Sequence, residues 1–119
     1  MAEHNNTGLL GEQIAENYLR ENGYTILHKN WRHKHWEVDF IVSKKDILHF
    51  IEVKTRRSRN FGMPEDNVTN KKMQHLLNAA EAFLYLHPVW KKIQFDILSI
   101  SLLKNKSPEI FFIEDVSTQ

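Results

Sequence analysis

The chain has 119 residues, 41% of them apolar and 26% charged, with a net charge of +1. These proportions belong to a folded globular chain and exclude a disordered one, and the length suits a single domain. There is no cysteine, which rules out disulfides, thiolate zinc sites and thiol nucleophiles and fits a reducing compartment. The start, Met-Ala-Glu-His-Asn-Asn, is polar, unlike a secretory leader. No apolar run nears the ~20 residues that cross a bilayer, so a soluble cytoplasmic protein with no membrane partner is expected.

Thr7 is a plausible N-cap for a first helix over about residues 8–22. Leu10, Ile14 and Tyr18, with Ala15 and Leu19 beside them, recur at helical spacing, and Gly23 supplies the left-handed stop. A short strand follows from Tyr24 to His28. Trp36, Val38, Phe40 and Val42 then alternate with Glu37, Asp39 and Ile41, which is strand periodicity. Ser43 to Asp46 makes a polar turn, and Ile47 to Lys54 forms the antiparallel partner. Residues 55–66, with Gly62 and Pro64 among basic groups, read as a loop. Met73, Leu76, Leu77, Ala80, Phe83 and Leu84 mark a second helix, started near Thr69 or Asn70 and stopped before Pro88. Ile93, Phe95 and Ile97 predict a fourth strand, and Ile110 to Ile113 a fifth. The order, helix, three strands, helix, two strands, predicts an α/β fold: one mixed sheet of about five strands flanked by helices. With no dividing linker, residues 1–119 form one domain with a core over about 8–115.

The chemistry lies where a core strand carries charge. Glu37 and Asp39 lie two apart and share one face of their strand, as do Glu52 and Lys54 on theirs. With the turn near Lys44 and Lys45, cross-strand numbers sum to about 89–91, which puts Asp39 near Val53 between Glu52 and Lys54. Three carboxylates gathered there repel, and Lys54 offsets only one of them. A divalent cation, magnesium or manganese, is the economical remainder for an all-oxygen site. Asp39, Glu52 and the Val53 carbonyl are candidate ligands. Such a site suits phosphodiester hydrolysis, with Lys54 orienting or deprotonating the attacking water and offsetting developing charge.

Asp39 followed by Glu52-Val53-Lys54 after a hairpin resembles the motif of the restriction-endonuclease-like, or PD-(D/E)xK, nucleases. More narrowly, the chain resembles the YraN-like family of small bacterial proteins assigned to that fold. The resemblance spans about residues 8–100. It rests on Gly8-Leu9-Leu10-Gly11-Glu12, Gly23 to Leu27, Asn30, Arg32, Glu37 to Ile41, Phe50 to Arg56, Phe61 to Pro64, Lys71-Lys72 and Phe95-Asp96-Ile97. It implies a restriction-endonuclease-like domain with nuclease activity. Archaeal Holliday-junction resolvases look like more distant relatives, and by that likeness Glu12 reaches the site from the first helix. One departure stands out: Trp36 occupies the place where the family usually has glycine, and its ring either narrows the approach to the site or packs on the sheet.

Other charges divide between site and surface. Glu37 is either a neighbour of the site or the partner of a nearby arginine, and Glu12 is either a site residue or a solvent-facing helix carboxylate. Arg56, Arg57 and Arg59, with Phe61 nearby, and Lys71 and Lys72 at the second helix read as phosphate contacts, as does the cluster holding Arg32. Asp96, between Phe95 and Ile97, reads as structural. His28, His33 and His35 match no zinc spacing and read as surface residues. The expectation is a magnesium- or manganese-dependent deoxyribonuclease acting on branched DNA or single-stranded ends, for which a homodimer would be convenient. The alternatives are a catalytically silent nucleic-acid-binding module of the same fold and a subunit whose basic loop meets an acidic protein.

Overall fold

A computed structural model describes residues 2–57 and 70–116, with side chains from residue 7 onward. The elements are α1 (Ala2–Glu21), β1 (Thr25–His33), β2 (Trp36–Lys44), β3 (Ile47–Arg56), α2 (Asn70–Leu86), β4 (Lys92–Ser101) and β5 (Glu109–Ile113). They form the predicted mixed sheet, in the order β1-β2-β3-β4-β5. Only β3 and β4 run parallel, because α2 carries the chain back between them.

Alternation along β3 assigns the two faces. Leu48 and Phe50 pack with Leu76, Ala79, Ala80 and Phe83 of α2. Ile51 packs with Ala15 and Leu19 of α1 on the other side. The helix α1 therefore buries a face centred on Gly11, Ala15 and Leu19, not on Leu10, which stays 43% exposed. Small residues set that face because the helix lies close against β3. A Cβ built on Gly11 would collide with the Thr55 hydroxyl and come within 2.8 Å of Thr55 Cβ. Gly11→Ala is expected to cost about 1–3 kcal/mol of stability. Adding Thr55→Gly should restore much of the loss in urea denaturation, and an unchanged loss would contradict the close packing.

Helix α1 begins at Ala2, so Thr7 lies inside the helix and does not cap it. Its hydroxyl instead accepts a hydrogen bond from Arg57 Nε at 2.7 Å. The far end follows expectation: Gly23 has φ 85°, and the Tyr24 amide reaches back to the Leu19 carbonyl at 2.9 Å while Gly23 reaches Arg20. The strands run longer than their apolar patterns suggest; β1 continues to His33 and β3 to Arg56. The remainder of the predicted loop, including Arg59, Gly62 and Pro64, lies outside the described residues, as does Thr69.

Two departures from regular pairing shape the site. Lys45 and Asp46 both have positive φ, as a two-residue hairpin turn requires. This fixes the β2–β3 register at Lys44↔Ile47 through Phe40↔Ile51, a sum of 91 at the upper edge of the expected range. The pairing stops at Phe40. Beyond it β2 stays with β1 as far as Trp36, while β3 stays with β4 as far as Arg56, so the sheet opens as a fork.

The second departure is at Asn30, whose φ is 53°, a left-handed conformation that asparagine tolerates better than most residues. It sits opposite Asp39, between the pairs Lys29↔Phe40 and Trp31↔Val38. Phe40 packs on the α1 side, whereas Trp31 and Val38 pack on the α2 side. Alternation thus breaks at Asn30 and Asp39, at the crotch of the fork.

Candidate metal and nucleic-acid site

The break in alternation turns Asp39 towards α1. With the β2–β3 ladder ended, the Val53 amide has no backbone acceptor on β2, and Asp39 Oδ2 accepts its hydrogen at 2.8 Å. A cleft of about 340 Å³ opens there, lined by Thr7, Gly8 and Glu12 of α1, Asp39, and Val53, Lys54 and Thr55 of β3. Four of the predicted site residues, Glu12, Asp39, Val53 and Lys54, therefore meet around one space. Lys54 and Glu12 have no ion-pair partner among the described residues.

Electrostatics set Asp39 apart. Burial pushes its carboxyl up to about 6, against the pull of the Val53 amide, and the charges of Glu52, Glu12 and Glu37 add to the rise. The carboxylate is held at a place that resists its charge, the condition under which a nearby cation is most strongly favoured.

Glu52 sits on the other side of the fork. By alternation along β3 it faces α2, where its Oε1 meets Lys72 Nζ at 2.8 Å. It is buried, and its Oε2 has no hydrogen-bond donor among the described residues. A buried carboxylate oxygen without a donor is costly and asks for a proton or a cation. Among the described residues no three of His, Cys, Asp and Glu stand together as a ready-made metal cage. Lys72, predicted as a phosphate contact, here supplies part of the positive charge that Glu52 requires.

The remaining predicted residues fall around this centre. Glu37 pairs with Arg32 at 2.9 Å on the exposed β1–β2 prong and does not line the cleft. Arg57 lies at the cleft rim, held to Thr7. Lys71 is exposed at the start of α2. Asp96 is fully buried, and its carboxylate takes His49 Nδ1 at 2.7 Å, Gln94 Nε2 and the Asp115 amide, as its structural reading anticipated. Helix α2's contribution through Lys72 was missed as a partner of Glu52; the only sequence signal was a lysine two positions into a helix that follows the β3 strand.

Comparison with known proteins gives the family. The family model described as Uncharacterised protein family UPF0102 matches residues 11–100. The chain belongs to the UPF0102 family. It is 41% identical to a UPF0102 protein of Bacteroides thetaiotaomicron over 84% of this chain and 83% of the other. A UPF0102 protein of Flavobacterium johnsoniae is 41% identical over 98% and 95%, and one from Syntrophomonas wolfei 44% identical over 84% and 88%. The UPF0102 match takes in Glu12, Asp39, Glu52, Lys54 and Lys72 together. No helix among the described residues is long and apolar enough to cross a membrane.

Proposed function

We propose that this UPF0102 chain is a single-domain, divalent-metal-dependent nuclease that hydrolyses phosphodiester bonds in DNA. The observation that carries the reading is the fork, where half-buried Asp39 meets Glu12 and Lys54 around one cleft and Glu52 Oε2, on the other side, has no donor among the described residues. The donor set is all oxygen, which suits magnesium or manganese over zinc. Asp39 and Glu52 are the residues to hold the ion, Glu52 by leaving Lys72 and turning through the opening of the fork, with the Val53 carbonyl and Glu12 as further donors. When bound, the ion would polarise a phosphoryl oxygen and lower the pKa of a coordinated water.

The chain's own residues account for the rest. The Val53 amide donates to Asp39 Oδ2, so the carboxylate is positioned before substrate arrives. Lys54, which borders the cleft, is assigned to orient the attacking water and to offset charge as the phosphorus becomes five-coordinate. Arg57 at the rim, with Arg56, Arg59 and Lys71 in its vicinity in sequence or at the start of α2, supplies phosphate contacts. Lys72 offsets the charge of Glu52 and would contact phosphate were an ion bound to Glu52 in its place.

The test is cleavage of branched, flapped and single-stranded DNA with magnesium or manganese, comparing wild type with Asp39→Ala and Lys54→Ala. Both substitutions should abolish metal-dependent turnover, and activity surviving both would end this assignment. The Glu52–Lys72 ion pair specifically favours one rival, a binding module of the same fold that holds no metal. Calorimetric titration with magnesium separates them: the rival predicts no heat of binding and salt-sensitive DNA affinity without cleavage.

A further inference from the structure

The prong formed by β1 and the start of β2 carries a feature that hydrolysis does not use. Trp31 and His33 stack with ring planes 7° apart and centroids 5.9 Å apart, and His33 stacks in turn on Trp36 at 21° and 6.3 Å. His35 tilts against Trp36, and His75 of α2 stands edge-on to His35. The row is anchored below, where Trp31 meets Phe83 edge-on in the α2-side core. Its upper members are half-buried or exposed, so the row leads from core to surface. Lys34 lies 5.9 Å over the Trp36 ring; on the same prong Arg32 pairs with Glu37, and Lys29 pairs with Glu16 of α1 on the other face.

A core needs rings, but it does not need two histidines and a lysine interleaved among them at a hairpin tip, with a third histidine on the facing helix. Flat rings with Lys34 over the outermost match an unpaired nucleotide strand, whose bases offer open π-faces and whose phosphates carry negative charge. A duplex presents no free base face to such a row. Trp36 is three residues from Asp39 on the same strand, roughly 10 Å at strand rise. The platform therefore flanks the crotch of the fork.

We infer that the stacked prong of Trp31, His33 and Trp36 is a binding platform for a single-stranded nucleic-acid segment, which it seats on the α2 side of the fork, three residues along β2 from Asp39. The platform's purpose rests on the nuclease reading; its binding does not. Trp36 makes this a substrate-selecting element, so that strands with unpaired ends or flaps are preferred over continuous duplex.

The experiment is a fluorescence titration in EDTA at low salt, using the Trp90→Phe chain so that only Trp31 and Trp36 report. An oligothymidylate should quench the emission, and a hairpin-capped duplex of equal length should not. Trp36→Leu should weaken oligothymidylate binding by between about fivefold and a hundredfold, while Trp36→Phe keeps most of it. Should Trp36→Leu fail to fold, His33→Ala is read in its place. Binding without quenching, or with affinity unchanged in these variants, overturns the inference. Because no metal is present, failure of cleavage leaves the platform standing as part of a binding module. Conversely, Asp39-dependent cleavage that is indifferent to Trp36→Leu would leave the nuclease and remove the platform.

Discussion

Asp39→Asn is expected to act in two directions at once: metal-dependent cleavage falls by about a hundredfold or more, while the metal-free protein gains about 2–3 kcal/mol of stability at neutral pH. The asparagine keeps an oxygen for the Val53 amide, so the local geometry survives. What it removes is a charge in a place that resists charge. The carboxyl holds its proton up to about pH 6 in the fold, against 3.8 ordinarily. Between those values the native chain binds more proton than the unfolded one, so stability falls as pH rises through that window. Above about 6 the full penalty is present. Urea denaturation across that range should show a downward slope for wild type that the variant lacks. Manganese should return the lost stability to wild type at pH 7 and give the variant little. A variant less stable than wild type at every pH would mean that Asp39 is simply an anchor for β3.

Asp96→Ala should do the opposite, costing about 3 kcal/mol or more with no direct effect on metal binding. Asp96 is as buried as any residue in the chain, but its charge is met on every side. His49 is joined to it at 2.7 Å, Gln94 and the Asp115 amide take its second oxygen, and Tyr24 stands edge-on against the His49 ring. Removing the carboxylate strands a buried imidazole and frees the segment after β5. Hydrogen exchange at the Asp115 amide should accelerate well before global unfolding. Equal protection in wild type and variant would show that the segment is held by something else. The pair of variants thus separates an acid satisfied by the fold from one that the fold leaves wanting.

Much of this could be read from the chain because the signals were local. Alternation in Trp36 to Val42 fixed β2, the polar turn fixed the hairpin, and their register placed Asp39 beside Val53, where its hydrogen bond is found. The structural role of Asp96 also followed from residue type and position, whereas Glu37 stood open between site neighbour and arginine partner until Arg32 was found against it. The fork did not. It depends on Asn30 adopting a left-handed conformation opposite Asp39, and one asparagine within a strand carries no sign of which way it will turn. Strict alternation therefore predicted Asp39 and Glu52 as neighbours on one surface. The kink sends Asp39 to the α1 side and leaves Glu52 facing Lys72. The close approach of α1 was hidden for a similar reason: Gly11 is informative only once Thr55 is known to lie against it. The histidines gave no metal spacing, and their stacking with Trp31 and Trp36 appears only when β1 is paired with β2.

The account stands on the fork drawing a divalent cation between Asp39 and Glu52. A crystal of the wild-type protein soaked in manganese, with anomalous density sought there, tests that most directly. The expected result is a peak bounded by the two carboxylates, with Glu52 turned away from Lys72. An empty fork at saturating manganese, with the Glu52–Lys72 pair intact, would contradict it.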